Sequence, residues 1–169
     1  VSYPAIDTSA YLSPTISEAE QAAILARRGL VRDGYVLFLS RLTKAKGVED
    51  LIYAYRASEL HGRIPLVICG SGPDEAFFRE VAMSDTSILF YNDIGDLDKL
   101  ALMSGCHAYC LPSKPRVEFT ETFGIAIAEA MLSGGIGPVI TTRTGGIPEA
   151  TGDYCLYHKA GDVTDLVAC

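Results

Sequence analysis

Apolar runs of four to six residues recur along the chain, and each is followed by a polar, glycine- or proline-bearing stretch. Tyr35-Val36-Leu37-Phe38-Leu39-Ser40 is the first such run. It lacks in–out alternation, as expected of a strand covered on both faces. Leu66-Val67-Ile68-Cys69, Ile88-Leu89-Phe90-Tyr91, Ala108-Tyr109-Cys110-Leu111 and Val139-Ile140-Thr141 repeat the pattern, and Tyr154-Cys155-Leu156-Tyr157 is a last short run. The intervening segments carry helical spacing. Ser17-Glu18-Ala19-Glu20 has capping chemistry for a helix running through Leu25 toward Gly29. Further helices are predicted over Val48–Leu60, over Asp74–Met83 with Pro73 near its first position, over Leu97–Ser104, and after Asp162. Strand and helix alternating in this way predict an α/β fold, a doubly wound parallel sheet with helices on both faces. Ligands of such sheets bind beyond the carboxyl ends of the strands, which directs attention to the loops there.

The most informative of these loops leads into the stretch from Glu118 to Met131, which reads as a helix beginning at an acidic, glycine-bearing turn. Thr120 or Thr122 is placed to cap it, and Ala126, Ala128, Ala130 and Met131 favour its continuation. On one helix, Glu121 and Glu129 would share a side with a rise of about 12 Å between them. The apolar run and Pro112-Ser113-Lys114-Pro115 come before it, and a strand, a polar loop and a helix start together make an anion site. An ordinary amphipathic helix with two solvated glutamates fits this stretch as well. Arg41 and Lys46 lie five apart in the loop after the first run, suited to clamping a diphosphate or to forming a solvated basic loop. Gly70-Ser71-Gly72-Pro73 and Gly145-Gly146-Ile147-Pro148-Glu149 are either close-approach loops or plain tight turns. Neither a GxGxxG fingerprint nor a GKS/GKT phosphate loop is present, which weighs against nicotinamide dinucleotides and P-loop chemistry.

Composition narrows the class. An apolar fraction of 49% and a charged fraction of 21% describe a soluble globular domain, here residues 17–169 behind a lead-in linker at 1–16. A formal net charge of −7 argues against nucleic acid or an acidic membrane surface as the main partner. The five cysteines form no CxxC pair, and Cys106, His107 and Cys110 match no common zinc spacing, so reduced thiols and a cytoplasmic setting are expected. His61, His107 and His158 stand in no catalytic or metal-ligating constellation. No run is long and apolar enough to span a bilayer, and Val1 opens no signal peptide. Without an initial Met, and with a helix just beginning before Cys169, the chain reads as a fragment of a longer one.

Together these loops resemble the C-terminal, donor-binding domain of retaining glycosyltransferases with the two-domain GT-B architecture, of the family 4, group 1 type. Ser40-Arg41-Leu42, Lys46-Gly47-Val48 and Leu51-Ile52 are similar to the family's "GRL…KG…LI" element, and Gly70-Ser71-Gly72-Pro73 to its "GxGP" turn. Pro112-Ser113, Glu121-Thr122-Phe123-Gly124 and Glu129-Ala130-Met131 resemble "PS…ExFGxxxxEAM", with Pro138–Thr141, Gly145–Glu149 and Gly161-Asp162 following in the family's order. The resemblance implies a nucleotide-diphosphate sugar as donor. Arg41 and Lys46 would neutralise its diphosphate, aided by Gly72 and by the amides near Phe123, Gly124 and Ile125. Glu129 would accept from the ribose hydroxyls, Glu121 would stand beside the transferred sugar, and Tyr91 and Asn92 would flank the base. The catalytic set implied is Glu121, Arg41 and Lys46, without metal or other cofactor. The acceptor would bind a missing N-terminal half, which would also carry any membrane-binding surface of the full-length enzyme, and the fragment alone would transfer little.

Three departures from the family pattern stand out. The loop at Tyr91-Asn92-Asp93 lacks a commoner glycine, residues 133–137 are looser than "CGxP", and the enlarged interval after Pro112 makes Glu118 a rival of Glu121. Two other readings stay open: a non-catalytic nucleotide-sugar sensor, and an epimerase or phosphorylase on the same fold. No pyridoxal-type lysine site supports the phosphorylase. Base, sugar and acceptor are left undetermined.

Overall fold

The computed structural model describes residues 8, 11, 16–115 and 121–169. Most of the lead-in segment, together with Glu118 and Thr120, lies outside the described residues. Six strands form one parallel sheet: β1 (Val36–Leu39), β2 (Leu66–Cys69), β3 (Ile88–Tyr91), β4 (Ala108–Leu111), β5 (Val139–Thr142) and β6 (Leu156–His158), in spatial order β3-β2-β1-β4-β5-β6. The expected doubly wound α/β fold is present. Its helices are α1 (Glu18–Ala26), α2 (Val48–Ala57), α3 (Glu75–Ala82), α4 (Asp96–Gly105), α5 (Ile125–Leu132), α6 (Ile147–Thr151) and α7 (Val163–Val167). Ser17 begins α1 as a capping box with Glu20, as its sequence spacing predicts.

The continuous apolar runs form β1, β2 and β4 because these strands are covered from both sides. Leu37, Phe38, Leu66, Val67 and Ile68 are fully buried, as is Tyr35, whose hydroxyl donates to the Leu102 carbonyl. Burial raises the thiols of Cys69 and Cys106 to about 12, which keeps them protonated members of this core.

Two expectations change. The expected continuous helix from Glu118 to Met131 is not formed over its described part, since residues 121–124 lie outside the helix that contains Met131. α5 starts at Ile125, because Gly124 turns the backbone to φ +75 and serves as its N-cap without any side-chain cap. Thr122 caps nothing, and Glu121 stands in the loop ahead of the helix, so helical rise does not govern its separation from Glu129. The last strand also shifts, to Leu156–His158, leaving Tyr154 88% exposed in the preceding turn.

Parallel pairing brings all six carboxyl ends to one edge. Leu39 pairs with Cys69 and Cys69 with Tyr91, so the loops after β1, β2 and β3 emerge side by side. Strand order reverses between β1 and β4, and the loops after these two strands face each other across that reversal.

Candidate functional site

The loop after β1 carries two of the candidate cations. Residues Lys44–Lys46 form a single 3-10 turn, and Gly47 then adopts φ +73 to start α2. A side chain at Gly47 is doubly excluded, since a Cβ there would lie 2.0 Å from the Pro112 carbonyl oxygen of the loop after β4. Close contact of the two loops therefore depends on this glycine. Lys46 reaches across to pair with the carboxylate of Glu121, which also accepts from Ser113 Oγ at 3.4 Å. Glu121 is buried, and Ser113 is held in turn by the hydroxyls of Thr142 and Thr144, both donating to its carbonyl.

Arg41 is exposed, and with Gly72, Asn92 and Lys99 it lines an open cleft of about 700 Å³ over the ends of β1, β2 and β3. Gly72 approaches the chain itself, because a Cβ there would meet the Leu42 carbonyl oxygen at 2.2 Å. Its turn and the loop after β1 are stitched together by Leu42 N–H donating to Ser71 O at 2.9 Å and Asp74 N–H donating to Leu42 O at 3.2 Å. The glycine turn thus shapes the floor that presents Arg41.

Glu129, in the middle of α5, faces Lys99 of α4. Its Oε1 accepts from Lys99 Nζ at 2.7 Å and from the Tyr11 hydroxyl at 2.9 Å. Burial of Lys99 opposes its charge, but the hydrogen bond and negative charge of Glu129 outweigh this and raise its pKa above the ordinary lysine value. The Tyr11 phenol is raised as well, by its own burial and by Glu129. Sequence reasoning missed Lys99. It is a single lysine in the first turns of α4, thirty positions from Glu129, and only the fold joins them.

The loop after β3 is mixed. Asn92 lines the cleft, with its amide fixed by Glu75 at 2.7 Å and Arg79 at 3.1 Å. Tyr91 turns its phenol away to the Arg28 carbonyl at 3.1 Å, beneath the Arg28 guanidinium, so its side chain faces α1. Ile94 takes the apolar place on the cleft wall. The positive end of the α5 dipole lies beside Phe123 and Gly124, where the N-cap glycine makes no side-chain cap and the Ile127 N–H donates to the Gly124 carbonyl at 2.9 Å.

A parallel sheet reversing its order between β1 and β4, with a cationic cleft over its carboxyl edge, defines a Rossmann-like domain of the kind found in GT-B glycosyltransferases. The family model "Glycosyl transferases group 1" matches residues 24–168, and the chain belongs to that family. It is 28% identical over 158 residues to O-antigen chain mannosyltransferase B of Escherichia coli, covering 90% of this chain and 40% of that protein. Among solved structures, HepE of Anabaena in complex with UDP and glucose superposes with a TM-score of 0.79 at 22% identity, covering 98% of this chain and 44% of that one. The C-terminal domain of a glycosyl transferase group 1 family protein (LpcC) from Francisella tularensis gives 0.73 at 19% identity, covering 97% and 85%. The chain thus spans about two fifths of the mannosyltransferase it matches. No helix among the described residues is long and apolar enough to cross a membrane.

Proposed function

We propose that this chain binds a nucleotide-diphosphate sugar and serves a glycosyltransferase that moves the sugar to an acceptor with retention of configuration. The observation that carries this reading is the cleft lined by exposed Arg41 and by Lys99, whose ammonium holds Glu129, together with the Lys46–Glu121 contact that joins the loops after β1 and β4. Membership of the glycosyl transferases group 1 family and the HepE fold, described with UDP and glucose, support it.

In this reading the diphosphate lies over the ends of β1 and β4. Arg41 and Lys46 neutralise it, and the amides at the start of α5 add the field of the helix dipole. These groups act most strongly as the phosphate leaves, when charge on it grows. Positive charge from arginine and lysine does this work without a metal ion. Lys46 holds Glu121 when no donor is bound. On donor binding its ammonium turns to phosphate, and the released Glu121 carboxylate accepts from the sugar hydroxyls. Glu129 accepts from the ribose with Oε2, since Oε1 is already engaged by Lys99 and Tyr11. Asn92 and Ile94 flank the base. The acceptor binds a further domain of the longer protein.

Calorimetric titration with UDP, GDP and ADP, free and as sugar conjugates, tests the reading. One of these is expected to bind wild type, with Glu129→Ala and Arg41→Ala each weakening it at least about tenfold, the loss of one charged hydrogen bond or more. Equal affinity in wild type and both variants contradicts the site assignment. A sensor and an enzyme separate on donor-dependent product formation by the full-length protein.

A further inference from the structure

A second ion pair crosses between the same two loops in the opposite sense. Lys114, from the loop after β4, directs its Nζ to both carboxylate oxygens of Asp50, at 2.7 and 2.8 Å. Asp50 sits in the first turn of α2 and is buried to 8% exposure, unusual for an aspartate unless it is paired. The Lys114 backbone N–H donates to the Ala45 carbonyl at 2.9 Å, inside the turn that carries Lys46. Lys114 therefore grips the loop after β1 by main chain and the first turn of the helix that follows it by side chain. Its neighbour Ser113 contacts Glu121.

The two crossings differ in what surrounds them. The Lys46–Glu121 pair belongs to the proposed donor site, where Lys46 exchanges Glu121 for phosphate. Lys114 occupies both carboxylate oxygens of Asp50, and neither residue belongs to the proposed donor site. An exchange at Lys46 removes one tie between the loops just when their spacing must not change. Resting on the donor-binding reading above, we propose that Lys114 and Asp50 form a fixed clasp. It holds the β1 and β4 loops in register while Lys46 changes partner, which makes Lys114 a positioning residue for Lys46. A displacement of about 1 Å in a charged group costs up to a hundredfold in function, so loss of the clasp is read directly in donor affinity.

The test uses Lys114→Met, Asp50→Asn and Lys114→Arg in this chain. Hydrogen exchange of the amides of residues 43–47 needs no ligand. Lys114→Met and Asp50→Asn are expected to speed it about tenfold, Lys114→Arg is expected to restore most protection through its forked donors, and amides of β1 and β2 are expected to stay unchanged. Titration with the sugar nucleotide that wild type binds is expected to show about tenfold weaker binding in Lys114→Met and recovery in Lys114→Arg. Unchanged exchange at 43–47 in Lys114→Met overturns the clasp. So does faster exchange with donor affinity within twofold of wild type. If wild type binds none of the sugar nucleotides, the donor reading falls and the clasp is judged on exchange alone.

Discussion

Two lysine–glutamate pairs stand at the carboxyl edge of the sheet, and they are built differently. Lys46–Glu121 joins two loops across the strand-order reversal, with the side chains 13% and 8% exposed. Lys99–Glu129 joins two helices, α4 and α5, with the side chains 25% and 18% exposed and Tyr11 sharing the same carboxylate oxygen. The first is the more buried, so with no donor bound each charge needs its partner and the pair ties the two loops together. The second is a more solvated pair that engages one oxygen of Glu129, the other being the one proposed to meet the ribose. Burial decides which pair holds structure and which mainly holds a binding group in position.

Halving each pair sharpens this contrast. Lys46→Met leaves Glu121 buried and unpaired, and is expected to cost about 3 kcal/mol of stability, measured by urea unfolding. Lys99→Met, at a half-buried pair that water still reaches, is expected to cost less, about 1 kcal/mol. Equal losses would erase the distinction. Donor binding should rank the same way: Lys46→Met weakens it by about a hundredfold, the scale of losing one preorganised charged donor to a phosphate, whereas Lys99→Met, with Glu129 still present, weakens it by about fivefold or less.

The smallest effect on the donor is expected far from the cleft, at the opposite edge of the sheet. Burial works against ionisation of Asp85, yet hydrogen bonds from Ser87 and Arg56 prevail and lower its pKa from 3.8 to about 2. Its folded pKa lies below the unfolded one, so its stabilisation is present above pH 3.8 and disappears as pH falls through about 2. Thermal unfolding of Asp85→Asn should show a shallower acid loss across that window than wild type, with donor affinity at pH 7 unchanged.

How legible these regions were in the sequence follows the same division. β2, β3 and β4 have the bounds their apolar runs predicted, and β2 and β4 are so legible because a strand covered on both faces writes itself as an uninterrupted run. The order of the strands is a matter of long-range pairing and left no local trace. Arg41, Lys46, Glu121 and Glu129 stood out through spacing and family resemblance, yet the spacing argument placed Glu121 on a helix that begins only at Ile125. Gly124, with its positive φ, was visible as a residue but its role as a boundary was not. Lys99, Lys114 and Asp50 carried no motif at all. Each is an ordinary charged residue until the parallel sheet brings its partner within reach.

The central claim is a division of labour along the cleft, with Glu121 serving the sugar and Glu129 the ribose. It is tested most directly by titrating Glu121→Gln and Glu129→Ala with the sugar nucleotide that wild type binds and with the same nucleoside diphosphate lacking the sugar. Glu129→Ala is predicted to weaken both ligands by the same factor, at least about tenfold. Glu121→Gln is predicted to weaken the sugar conjugate and leave the bare nucleoside diphosphate unaffected. A Glu121→Gln loss that persists without the sugar, or a Glu129→Ala loss that vanishes without it, would contradict the account.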